Sequence, residues 1–209
     1  MLAEHATVRF EQLMPALMEF IAGSEVIVGA VAWLSHPDVL DTLSRVPCAL
    51  VVQKEPYLRP VARDIRYAPT RRRYAALRGG LDRRSFPDPL GSAVDPAHPR
   101  IWRLDPVRVV GTAGTGNGNG SPLMHHKFLA RCELVDGKLV ATAAWAGSAN
   151  LTRNADRSLE FAIEHCDPVV ATAFLGEFAR VAAVSEPLAW TSTQPAPQWL
   201  GRRPSPLRG

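Results

Sequence analysis

The sequence predicts an α/β domain, a mixed β-sheet flanked by helices in an α/β/α sandwich. Three observations lead there. The run Glu25–Trp33 (EVIVGAVAW) is short, continuous and β-branched, as suits a strand buried on both faces. A helix-like segment and a second apolar run, Cys48–Gln53, follow it, giving the β, α, β order that accompanies parallel pairing. Further along, two strand-like runs meet at Asp136-Gly137, a strong hairpin signal, so part of the sheet is antiparallel.

Taken in order, Phe10, Leu13, Leu17, Phe20 and Ile21 recur at helical spacing and Gly23 closes the pattern, predicting a helix over 10–22. Pro37 opens a second helix to about Arg45, with Ser35 as its N-cap. Residues 56–105 hold many of the prolines and one helix over Thr70–Leu77, and Val107–Val110 is a short strand. The glycine-rich stretch Gly111–Pro122 leads into a strand rather than a helix N-terminus, which argues against a phosphate-cradling P-loop. Met124–Leu134 and Lys138–Ala146 form the hairpin, and Ser158–Glu164 is a further strand. Asp167 caps and Pro168 opens a closing amphipathic helix to Ala183. The expected organisation is one domain over 1–185 and an irregular, proline-rich tail over 186–209 that packs on the body through Trp190 and Trp199.

Composition narrows the classes. With 209 residues, 46% hydrophobic and 21% charged, the chain suits an ordinary globular protein with a real core. No apolar stretch reaches the roughly 18–20 residues that cross a bilayer, and Met1–Glu11 lacks the basic cluster and apolar run of a signal peptide. A cytoplasmic protein without stable membrane association is the expectation. Cys48, Cys132 and Cys166 are odd in number and widely spaced, which suggests neither a disulfide framework nor a zinc pair. The net charge is only +4, yet arginines crowd residues 59–84. Arg59, Arg63, Arg71, Arg72 and Arg73 are candidate contacts to nucleic-acid phosphates, because a guanidinium is a permanently charged, planar fork of donors. A solvated charged face is the plainer reading of the same run. Lys54 and Glu55 follow a central strand, where α/β sheets place ligands. His5, His36, His98 and His165 stand outside any motif and are expected at the surface or in caps.

The hairpin carries the chemistry. A two-residue turn sets Val135 opposite Lys138, and an unbroken ladder then sets His125 opposite Ser148 and Lys127 opposite Ala146. His125, Lys127, Ser148 and Asn150 would share one face. Phe128, Ala130, Cys132, Leu134, Leu139, Ala141, Ala143 and Trp145 would form the other, apolar face. The same alternation splits His125, His126, Cys132 and Cys166 between faces and disfavours them as a zinc set.

HHKFLARC followed by AGSANLT resembles the HxK and GSxN segments of the phospholipase D superfamily. His125 and Lys127 match the first, Gly147, Ser148 and Asn150 the second, and Glu160 in SLEFAIE matches a downstream acidic residue usual in that family. The sequence departs from the pattern at Cys132, where the family usually has Asp.

The resemblance implies metal-independent, cofactor-free cleavage of phosphodiesters. His125 would attack phosphorus and form a covalent phosphohistidine, Lys127, Ser148 and Asn150 would donate to the phosphate oxygens, and Glu160 would orient a histidine. A second imidazole would protonate the leaving oxygen. Since the chain holds one HxK set, a homodimer with a shared cleft is implied. An endonuclease acting on DNA, with RNA second, is the preferred expectation. The alternatives are a phospholipid phosphodiesterase or phosphatidyl transferase, disfavoured for want of an amphipathic membrane helix, and a catalytically silent nucleic-acid-binding module.

Overall fold

The computed structural model describes residues 6–113 and 123–199. Eight strands make one sheet: β1 (Ala6–Arg9), β2 (Val26–Val31), β3 (Cys48–Gln53), β4 (Val107–Val110), β5 (Lys127–Val135), β6 (Lys138–Gly147), β7 (Ala162–His165) and β8 (Glu186–Pro187). Their order is β1-β7-β6-β5-β2-β3-β4-β8. β2, β3 and β4 are parallel, and every other pairing is antiparallel. The helices are α1 (Leu13–Ala22), α2 (Pro37–Leu43), α3 (Ala68–Ala76) and α4 (Pro168–Ala183).

The sheet is covered on both sides, which is why β2 and β3 are buried at every position. One apolar layer joins α1, α2 and Tyr74 of α3 to Ile27, Leu50, Leu129 and Trp145. The other joins Leu175 and Phe178 of α4 to Val28, Val51, Phe128 and Cys132. This is the expected α/β/α sandwich. α1 begins three residues later than its periodicity suggested and leaves Phe10 73% exposed. The N-cap of α2 is His36, not Ser35. The His36 Nδ1 accepts from the Val39 N–H at 3.5 Å, while Ser35 N–H donates to the Leu151 carbonyl. The strand placed over Ser158–Glu164 is shorter, and β1 and β8 are too short to announce themselves in the sequence.

The hairpin turn has positive φ at both central residues, Asp136 (49°) and Gly137 (74°), the backbone a two-residue turn with right-handed strand twist requires. From there the ladder runs as expected through Cys132↔Ala141 and then slips, so that Arg131 pairs with Ala143 and leaves Thr142 unpaired. This β-bulge overturns the unbroken register beyond that point. Phe128, not Lys127, faces Ala146. Ala143 and Trp145 cross from the Cys132 layer to the opposite one, where Trp145 meets Phe20 with ring centroids 6.0 Å apart. Leu134 is 51% exposed rather than part of the core. The polar and apolar faces therefore do not segregate along the hairpin; chemistry concentrates at its open end.

Residues 186–199 are built into the body. β8 extends the sheet beside β4, and Trp190 and Trp199 are buried. Lys54 is fully buried against Glu186 with Nζ to Oε1 at 2.5 Å, and it also donates to the carbonyls of Ser192 and Gln194. Arg83 and Arg108 are also buried, each with its guanidinium over the Trp199 ring. Burial pulls the Arg108 guanidinium down to about 10 against the opposing pull of Asp105.

Candidate active site

The parallel strands β2, β3 and β4 all end at one edge of the sheet, the edge at which α/β sheets bind ligands. β5 starts at that same edge, with Lys127 paired to Val31 at the end of β2. β6 ends there and β7 begins there, with Gly147 paired to Ala162. Topology alone thus gathers His125 just before β5, Ser148 and Asn150 just after β6, and Glu160 just before β7. Glu160 lies in the approach to its strand rather than on it.

His125 is exposed and sits in an extended lead-in whose backbone is held on both sides. Met124 N–H donates to Gln53 Oε1 at 3.0 Å, and the His126 carbonyl accepts from Ala32 N–H at 2.8 Å. The Gln53 amide, 1% exposed, also donates to the Thr112 carbonyl at 2.9 Å and so bridges the segments on either side of residues 114–122. Most of the predicted glycine-rich loop, residues 114–122, lies outside the described residues. The Trp33 ring meets the His125 ring edge to face, with centroids 5.5 Å apart and planes at 79°, and its indole N–H is fixed on Glu55 Oε1 at 3.0 Å.

The Lys127 ammonium lies 3.1 and 3.2 Å from the two ring nitrogens of His125 and donates to the His125 carbonyl at 3.1 Å. Burial lowers the Lys127 pKa from the ordinary lysine range, while the Glu160 carboxylate acts in the opposite sense. Glu160 is thus close enough to the ammonium for its charge to register.

Ser148 joins the second half of the cluster. Its hydroxyl donates to Glu160 Oε2 and accepts from Phe161 N–H at 3.1 Å, and its own N–H donates to the Phe161 carbonyl at 3.1 Å. Gly147 makes this approach possible, since a Cβ there would run into the Phe161 carbonyl oxygen. Asn150 Oδ1 is buried without a hydrogen-bond partner, a polar atom left unsatisfied beside the motif. Chemically, the edge offers an exposed imidazole, an ammonium beside it, and a hydroxyl paired with a carboxylate.

The other candidates are distributed differently. Lys54 and Glu55 do not line a cleft together: Lys54 is consumed by Glu186, and Glu55 holds Trp33. Arg71 donates to the carbonyls of Tyr57 and Asp64, Arg73 pairs with Asp41 at 2.8 Å, and Arg59 lies over the Trp190 ring at 4.8 Å. Arg63 and Arg72 are exposed, with no ion pair among the described residues. Cys132 is buried in the layer of α4, and burial pushes its thiol up to about 12. Among the described residues no three His, Cys, Asp or Glu side chains converge as a metal-binding set, and no helix is long and apolar enough to cross a membrane. Trp33, Glu55 and Gln53 stand outside the HxK and GSxN segments. Their only sequence signal is position, at or just beyond the ends of β2 and β3.

No protein-family model matches the chain. The chain is similar to Uncharacterized protein L381 of Acanthamoeba polyphaga mimivirus, at 27% identity over 199 aligned residues that span 88% of this chain and 67% of that protein. Among solved structures, NucT from Helicobacter pylori superposes with a TM-score of 0.51 at 11% identity, covering 86% of this chain and 96% of its own. Nuc from Salmonella typhimurium, a phospholipase D family member, gives a TM-score of 0.47 at 15% identity, covering 87% and 95%. The chain shares the fold of NucT.

Proposed function

We propose that this chain is a metal-independent phosphodiesterase acting on nucleic acid, DNA before RNA, as an endonuclease that uses a covalent phosphohistidine at a site shared by two copies. The observation that carries the reading is the Lys127 ammonium against both ring nitrogens of an exposed His125, with the Ser148–Glu160 pair at the same sheet edge. A phosphodiester is an anion that repels nucleophiles, so a site without a metal needs fixed donors at the phosphate oxygens. Lys127 and the Asn150 amide are of that type, and the Ser148 hydroxyl joins them where its one proton turns from Glu160 to the phosphate.

In the first step a His125 ring nitrogen attacks phosphorus. The P–N bond forms as the bond to the leaving oxygen breaks, and that oxygen takes a proton from the imidazolium of the second copy's His125. In the second step the same imidazole removes a proton from water, whose oxygen attacks phosphorus and releases His125. One chain supplies one such histidine motif, and this motivates the dimer, two-fold symmetric with the two His125 rings facing each other.

Purified protein is expected to cleave labelled oligonucleotides in excess chelator, and His125→Ala to abolish cleavage. Cleavage that survives this substitution would remove His125 from its role. For the shared site, wild-type chains mixed with an excess of His125→Ala chains should lose activity in proportion to the heterodimer formed. Activity that instead tracks the number of wild-type chains would place the whole site in one copy.

A further inference from the structure

A groove of about 530 Å³ begins at Trp33, beside His125, and runs between the 57–73 region and the loop after β6. Its lining combines two residue classes. Trp33, Tyr57 and Tyr67 are half-buried aromatics, the two tyrosines already stacked with centroids 3.9 Å apart. Arg66, Arg73 and Arg153 supply positive charge, and Arg153 is exposed with no ion pair among the described residues.

Resting on the phosphodiesterase reading, we infer that this groove takes an unpaired nucleic-acid strand, with Trp33 as the platform for the base next to the phosphate at His125. In a duplex the base faces are covered by their neighbours, so aromatic side chains find nothing to stack on. An unpaired strand offers both a base face and a phosphate at each step, and the groove offers both partners. Trp33 suits the platform because its ring is held in place: Glu55 fixes the indole N–H and the His125 ring abuts it, so ordering it on binding costs little. Arg66 and Arg73 share their charge with Asp64 and Asp41, so Arg153 is the groove's cation without an ion pair among the described residues. Substrate choice then follows from the site itself: the strand must be unpaired where it is cut.

The test is binding by His125→Asn protein in chelator, read as fluorescence anisotropy of three dye-labelled probes: a twelve-nucleotide single strand, the same strand with abasic sugars, and the duplex. The single strand should bind at least tenfold tighter than the duplex. Trp33→Leu should weaken the base-bearing strand by about 5- to 150-fold, the loss typical of one stacked base, and leave the abasic strand unchanged. Trp33→Tyr should keep most of the affinity, and Arg153→Gln should reduce the salt slope by about one for every probe.

Duplex binding as tight as single-strand binding would overturn the inference, as would equal losses on base-bearing and abasic strands, which would make Trp33 only a support for His125. The two readings fail separately. Wild-type protein that cuts strands and duplexes alike keeps the phosphodiesterase and loses the groove. Protein that shows the predicted binding pattern yet cuts nothing keeps the groove and loses the phosphodiesterase.

Discussion

Two lysines stand at the same edge of the sheet, Lys54 just past the end of β3 and Lys127 at the start of β5. Lys54 is fully buried, paired with Glu186, bound to two carbonyls and set 5.1 Å from the Trp190 ring centroid. Lys127 keeps part of its surface open, and its ammonium is turned on a histidine rather than a carboxylate. The charge of Lys54 is answered by a carboxylate in direct contact, whereas no carboxylate among the described residues lies within ion-pair distance of the Lys127 ammonium. A buried cation paired with a carboxylate holds structure together, and a part-exposed one that meets only neutral groups at hydrogen-bond distance is a candidate for chemistry.

The contrast is testable from its strongest consequence downward. Lys54→Met leaves Glu186 buried without its partner, and chemical denaturation should show a loss of roughly 3–5 kcal/mol. Restoring neutrality with Glu186→Gln in the same chain should recover part of it. Lys127→Met should do the reverse: unfolding should stay near wild type while turnover falls by about 10²- to 10³-fold, the usual effect of losing one preorganised donor. A large stability loss at Lys127, or a large turnover loss at Lys54 in protein that remains folded, would collapse the distinction.

A smaller effect separates what surrounds Lys127. Burial lowers its pKa, so the ammonium, the form the proposed reaction needs, should be lost on the alkaline side below the ordinary lysine range. Glu160 opposes this, so Glu160→Gln should move the basic limb of the pH–rate profile to still lower pH. A limb that stays put or moves upward would uncouple Glu160 from Lys127. Smallest is Cys132→Ala, at roughly 1 kcal/mol of stability with turnover unchanged, because the thiol lies in the layer of α4. In native protein a thiol reagent should label exposed Cys166 and spare buried Cys48 and Cys132, whose thiols are both pushed up to about 12.

Local signals in the sequence carried further than pairwise ones. The Asp136-Gly137 turn, β3 and the Asp167 cap of α4 stand where residue chemistry placed them, since each depends on a few neighbouring residues. The arginine run was legible as charge but not as partners. Nothing in the order of residues 59–84 tells that Arg71 ties two loop carbonyls or that Arg73 meets Asp41 across the fold.

The sequence by itself determined the α/β layering, the hairpin turn and the identity of the motif residues His125, Lys127, Ser148, Asn150 and Glu160, because hydrophobic period, turn chemistry and motif spacing are written in neighbouring residues. Only the tertiary structure decided the register of that hairpin. Thr142 has no feature that marks it as the unpaired residue; the slip follows from packing, which carries Trp145 to Phe20 and Cys132 toward α4 on opposite sides of one sheet. The partners of the two lysines were settled in the same way, by which side chains the closed fold brought within hydrogen-bond reach.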